Sequence, residues 1–69
     1  MIEFELEGHD YIELCDLLKV TGLCSSGGEA KALVADGEVR VDGAVETRKR
    51  CKIRSGQTVE FAGETLQVV

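Results

Sequence analysis

The alternation of apolar and polar residues along this chain predicts its elements before composition is considered. Ile2, Phe4 and Leu6 alternate with Glu3, Glu5 and Glu7, which predicts a short strand with one dry face and one acidic face. Outward charge of this kind suits a sheet edge, where it discourages pairing with a neighbour. Gly8-His9 breaks the strand. Tyr11, Leu14, Cys15 and Leu18 follow at i, i+3, i+4 and i+7, widened by Leu17, and predict a helix from about 11 to 20. Asp10 is the expected cap of this helix, and Glu13, three residues on, completes a capping box. Thr21-Gly22 ends it, with Gly22 left-handed and Leu23 folding back onto the last turn. Ser26 is the expected cap of a second helix, again with a glutamate, Glu29, three residues on. Ala30, Leu33, Val34 and Gly37 are spaced for its buried stripe, and the small Ala30 permits close packing on the first helix. Asp36-Gly37 ends it.

The stretch from Gly37 to Phe61 organises the rest. Val39 and Val41 alternate with Glu38, Arg40 and Asp42, and Asp42-Gly43 has the chemistry of a type I′ hairpin turn. Beyond Ala44 and Val45 the chain enters a dense basic run. In its second half, Cys51 and Ile53 point inward while Arg50, Lys52 and Arg54 point outward, a short or irregular strand. Ser55-Gly56 turns the chain into a strand with Val59 and Phe61 inward and Thr58 and Glu60 outward. Ala62-Gly63-Glu64 makes a tight turn, and Leu66 and Val68 alternate with Thr65 and Gln67 on the last strand. The expected order is β-α-α-β-β-β-β, an α+β fold in one domain spanning residues 1–69.

Composition sharpens this picture. With 69 residues the domain buries only about 60% of the surface its unfolded chain exposes, so its stability is expected to be small. Phe4, Tyr11 and Phe61 are its only aromatic residues, which leaves the core to Leu, Val, Ile and Ala. The net charge of −5 argues against a nucleic-acid binder, but the average hides an asymmetry. Residues 31 to 54 carry Lys31, Arg40, Arg48, Lys49, Arg50, Lys52 and Arg54 against Asp36, Glu38, Asp42 and Glu46, a net +3, and the remainder carries −8. A phosphate backbone responds to a local basic face as well as to total charge. Cys15, Cys24 and Cys51 form no CxxC, and with His9 the one histidine they make a structural zinc site or other cofactor unexpected. Reduced thiols, an acidic alternating N-terminus and the lack of a long apolar run lead us to expect a cytoplasmic protein without a membrane segment.

The ordered set Gly22-Leu23, Ser26, Ala30, Leu33-Val34, Gly37, Val39, Val41, Asp42-Gly43, Val45, Ile53, Gly56 and Gln57-Thr58-Val59 resembles the S4-like RNA-binding domain, also called the alpha-L motif. The match spans about residues 11–61, and the whole length is similar to the small stand-alone bacterial members of the YbcJ-like type. The resemblance implies two packed helices against a small, bent, mostly antiparallel sheet, with RNA lying across the helical pair and the adjoining hairpin. Carried to this sequence, it marks Ser25, Ser26, Gly27, Gly28 and Lys31 on the second helix, then Arg40, Thr47, Arg48, Lys49 and Arg50. Lys52 joins them from the basic run. The chain departs from the family in two places. Gly27 stands where family members commonly have arginine, which removes a phosphate contact, and Asp42-Gly43 replaces a common Asn-Gly, which keeps the turn and adds a negative charge.

Three function classes follow. RNA binding would use Arg48, Lys49, Arg50 and Lys52 on phosphates, with Ser26 and the amides of Gly27 and Gly28 holding one more. Such contacts position RNA without reading its sequence, so recognition is expected to rest on the shape of folded RNA. The resemblance implies structured ribosomal or transfer RNA as the partner, and a monomer with a ribosomal-protein contact is expected. Base stacking is not expected, because Tyr11 falls on the helical stripe and Phe61 points inward. A protein adaptor would instead use the acidic face of Glu3, Glu5 and Glu7, although outward glutamates are ordinary on an edge strand. An enzyme has the least support. His9 lies in a turn, Cys15 and Cys51 read as buried, Cys24 reads as the exposed thiol, and Gly27-Gly28 lacks the rest of a nucleotide-binding loop.

Overall fold

Nine short elements make up the computed structural model, which describes all of residues 1–69. They are β1 (Ile2–Phe4), β2 (Ile12–Glu13), α1 (Leu14–Val20), α2 (Gly27–Ala35), β3 (Val39–Val41), β4 (Ala44–Val45), β5 (Lys52–Ile53), β6 (Thr58–Phe61) and β7 (Glu64–Val68). The α+β class and the order of the expected elements hold, with two short strands added, one before the first helix and one after the Asp42-Gly43 turn. Strands β1-β7-β6-β3-β4 form a sheet in that order, antiparallel throughout except for the parallel pair β1–β7. The acidic strand takes the edge position its alternation suggested. Strands β2 and β5 form a separate antiparallel ribbon, with Ile12 opposite Ile53 and Glu13 opposite Lys52.

That ribbon corrects the start of the first helix. Glu13 is extended, at φ −70° and ψ 142°, and no side chain caps α1, so Asp10 and Glu13 do not form a capping box. The free amides at a helix start still need acceptors. Leu14 N–H donates to the Cys51 carbonyl at 2.9 Å and Cys15 N–H to the Lys49 carbonyl at 3.1 Å. A contact distant in sequence therefore replaces the local cap. The expected cap of α2 is present: Ser26 Oγ accepts from Glu29 N–H at 3.1 Å. The Glu29 carboxylate reaches one residue beyond the usual box, accepting from Ser25 N–H at 3.2 Å and Ser25 Oγ–H at 3.0 Å.

One core lies between the helix pair and the sheet. Leu14, Leu17 and Leu18 of α1 meet Ala30 and Val34 of α2, and the sheet and ribbon add Val39, Ile53, Val59, Leu66 and Val68. No polar or charged residue is buried. Fully buried Ala30 lets the two helices approach, as its size suggested. Cys24 departs from expectation. Its N–H donates to the Leu18 carbonyl at 3.0 Å, which draws the interhelix loop inward and leaves the thiol 3% exposed. Gly37 closes α2 at φ 79°, while the Gly37 and Glu38 amides bond back to the Val34 and Leu33 carbonyls, a Schellman end.

Both two-residue hairpin turns need positive φ at each position. Asp42-Gly43 has φ 51° and 84°, and Ala62-Gly63 has 53° and 80°. Glu64 already belongs to β7, so this second turn is one residue shorter than expected. Alanine is the wrong residue there, since a Cβ in the left-handed region costs about 1–2 kcal/mol. Ala62→Asn is expected to stabilise the domain by about 1 kcal/mol and to raise Tm by about 4–8 °C. An unchanged Tm in a calorimetric scan would show that the turn is not strained.

Candidate nucleic-acid interface

The basic run owes its shape to two clamps. After β4, Glu46 N–H donates to the Val39 carbonyl at 3.0 Å, which holds the run against β3. The Glu46 carboxylate then gathers Arg48: it accepts from the Arg48 backbone N–H at 2.9 Å, from Nε at 3.0 Å and from Nη2 at 3.0 Å. At the other end, the Lys49 and Cys51 carbonyls are engaged by the start of α1. The backbone between is pinned, and its side chains face solvent. Arg48, Arg50, Cys51 and Lys52 line one shallow cleft. Thr47 and Lys49 are exposed beside it.

Arg48 is therefore not a free cation. Its bonds to Glu46 hold the Glu46 carboxyl down from 4.5 to about 2 and push the Arg48 guanidinium up. A depressed carboxyl contributes order that is fully present above its unfolded value and is lost as pH falls through its folded value. The clamp is thus expected to hold well below pH 4.5 and to open only as pH falls toward about 2. The Arg48 side-chain Nε–H resonance reads this directly. Opening near pH 4.5 would contradict the clamp, and Glu46→Gln is expected to abolish the acid-dependent step.

Along β5, Ile53 is fully buried while Lys52 and Arg54 are exposed, as their alternation predicts. Arg50 continues the outward row and lies 3.9 Å from a Glu13 carboxylate oxygen across the ribbon. Tyr11 is placed differently from the expectation of helical spacing. It lies outside α1, 39% exposed, with Lys52 Nζ 4.9 Å and the Arg54 guanidinium carbon 5.7 Å from its ring centroid. Periodicity assigns it to the helical stripe, and ribbon pairing takes it off.

The helix pair carries the other expected contacts. Ser26 Oγ is occupied by Glu29 N–H, and the Glu29 carboxylate brings a negative charge to the same helix start. Exposed Lys31 follows one turn after Gly27 and Gly28, on the same side of α2. Lys19, which lies outside the basic segment of the sequence, belongs beside them: its Cδ lies 4.0 Å from where a Cβ on Gly27 would stand. The signal available in the sequence is its position as the one cation of α1. Its seven residues span about 10 Å at 1.5 Å per residue, so the ribbon patch and Lys19 mark opposite ends of one short helix. Arg40 stands apart from the loop, opposite Glu60 on β6, in a cleft it shares with Glu38, Glu60 and Glu64. The negative charge of Asp42 is spent internally: its carboxylate accepts from Thr58 N–H at 2.9 Å and Gln57 Nε2 at 3.1 Å, which hold it below its ordinary value.

The cysteines give no sign of an activated nucleophile. Burial pushes the Cys24 and Cys51 thiols up, and neighbouring Glu29 and Glu46 add to the effect. No group of three or more His, Cys, Asp or Glu side chains is arranged to hold a metal ion. No helix is long and apolar enough to cross a membrane.

Comparison with known proteins places this geometry. YbcJ of Escherichia coli (strain K12) is 61% identical over 69 residues, covering all of this chain and 99% of that protein, and YbcJ of Shigella flexneri matches to the same extent. The solution structure of E. coli YbcJ, which reveals an αL motif involved in RNA binding, superposes with a TM-score of 0.78 over 100% of this chain and 87% of that one. The crystal structure of 30S ribosomal protein S4e from Thermoplasma acidophilum shares the fold at 24% identity, with a TM-score of 0.62 over 83% of this chain and 30% of that one. The family model described as S4 domain matches residues 4–69. The chain belongs to the S4 domain family.

Proposed function

We propose that this protein binds structured RNA, without catalysing a reaction on it, through the basic loop and the outward face of the β2–β5 ribbon. The observation that carries this reading is the pinned cleft of Arg48, Arg50 and Lys52, whose backbone is held by the start of α1 while its cations face solvent. A cleft held this way meets a phosphate backbone with little ordering left to do. The αL motif of YbcJ, described as involved in RNA binding, supports the same assignment. Lys31, with Lys19 at the far end of α1, would take a neighbouring stretch of backbone, and Gly27 and Gly28 keep that approach open. These contacts read shape and charge, not sequence. Ribosomal or transfer RNA, met by a monomer in the cytoplasm as part of a ribosome-associated assembly, is the partner class that fits them.

Titrating fluorescently labelled, folded ribosomal and transfer RNA with the protein across a salt series tests the reading. Neutralising three or four phosphates gives a slope of log K against log salt of about −2 to −4. Negligible binding to both RNAs at low salt would contradict the proposal and direct attention to a protein partner for the Glu3, Glu5 and Glu7 face.

A further inference from the structure

We propose that Tyr11 is a seat for an unpaired nucleobase at the edge of this basic surface. The inference rests on the RNA-binding reading and extends it from phosphates to a base. Phe4 and Phe61 are half-buried against the core, so Tyr11 is the one aromatic ring exposed to solvent. Pairing of Ile12 with Ile53 brings Tyr11 beside Arg54 and Lys52, whose charges stand over its ring. Exposed cations and an exposed ring combine the two parts of a nucleotide site: a base displaces Lys52 and Arg54 from the ring they stand over, and the released charges meet its phosphate.

The surroundings give the site a direction. Lys52 and Arg54 stand over the ring, and exposed Arg50 precedes them along the chain. Tyr11 also borders a cleft with Phe4, Leu6 and Ile12, edged by Glu5 and Glu7. Carboxylates repel a phosphate from that side, while apolar side chains accept the face of a base. The strand would run along β5 with one base turned across it toward Tyr11. A fully paired helix hides the faces of its bases, so the ligand class is RNA carrying an unpaired nucleotide, such as a bulge, beside a helical segment.

The chain holds one tyrosine and no tryptophan, so its tyrosine emission reports Tyr11 alone. Three RNA hairpins serve as probes: a paired stem, the same stem with a one-nucleotide bulge, and the bulge made abasic. Binding is followed by anisotropy of a labelled RNA and, in parallel, by tyrosine emission. We expect all three to bind, the bulged stem about tenfold more tightly than the abasic one and with quenching of the emission. Tyr11→Leu is expected to erase that preference, and Tyr11→Phe to keep it. Equal affinity for bulged and abasic stems, or binding without quenching, would overturn the stacking site and leave the RNA reading intact. A uniform loss on all three RNAs in Tyr11→Leu would identify the ring as a structural lock on the ribbon and overturn the proposal. Absence of binding by any probe would overturn the RNA reading and the site with it. If Tyr11→Leu fails to fold, as judged by its amide spectrum, the native chain on bulged and abasic stems decides alone.

Discussion

Replacing Arg50, Lys52 and Arg54 together by glutamate is expected to weaken RNA binding by on the order of 100-fold or more at about 0.1 M salt and to flatten the salt dependence by two to three units of slope, roughly 0.7–0.9 for each phosphate no longer neutralised. The side chains stand on the outward face of β5 and its approach, while buried Ile53 and the carbonyls of Lys49 and Cys51 hold the backbone. The fold should therefore survive, and the amide spectrum away from the ribbon should be unchanged. Arg48 is the wrong residue for this test. Arg48→Glu would set a second carboxylate against Glu46 and break the clamp that shapes the loop, so charge and structure would be lost together. Releasing Arg48 by Glu46→Gln is the informative opposite change. If the triple variant binds native RNA with unaltered affinity and slope, the phosphate-binding groups lie elsewhere.

Ile53→Ala is expected to cost about 2–5 kcal/mol, because it empties a fully buried position that a small domain cannot close over. A domain of this size has about 3–10 kcal/mol in all, so much of its stability would go with one side chain. The effect should reach function as well. Ile53 is the inward anchor of the ribbon whose outward face carries Lys52, and it pairs across to Ile12, next to Tyr11. Loosening it would free the carbonyls that engage α1 and let the cationic row move. Ile53→Val, costing about 0.5–1.5 kcal/mol, should keep the fold and the RNA affinity. Urea unfolding of the two variants measures both losses, and a loss below about 1 kcal/mol in Ile53→Ala would show that the ribbon is not anchored there.

Much of the fold is legible in local pattern. The alternation around β1, β3, β6 and β7 identifies the inward residues, Ser26 the cap of α2, and Asp42-Gly43 the hairpin turn. Each depends on residues a few positions apart. The misread features depend on partners far along the chain. Tyr11, Leu14, Cys15 and Leu18 have helical spacing, yet Ile12 and Glu13 are extended because Ile53 and Lys52 lie opposite them. The same pairing moves Tyr11 from the expected stripe to the surface. Cys24 sits in a loop whose backbone bonds to the Leu18 carbonyl, and its side chain joins the core.

The candidate site is legible to a similar depth. Charge counting locates the run from Arg48 to Lys52, but it cannot show that Glu46 binds Arg48 or that Arg40 faces Glu60. Lys19 lies outside the basic segment and is brought to Gly27 by the packing of α1 on α2. In each case the residue type is visible in the sequence and its neighbour is not.

If the ribbon and its loop face RNA, the backbone amides there should report it in an NMR titration with a folded RNA. The expected result is a continuous set of shifts from Arg48 to Arg54 and across the ribbon at Tyr11 to Glu13, joined by Lys19 and Gly27 to Lys31, with Ile2 and Glu3 of β1 silent. Shifts centred on Glu3, Glu5 and Glu7, or confined to the Glu38, Glu60 and Glu64 face of the sheet, would contradict it.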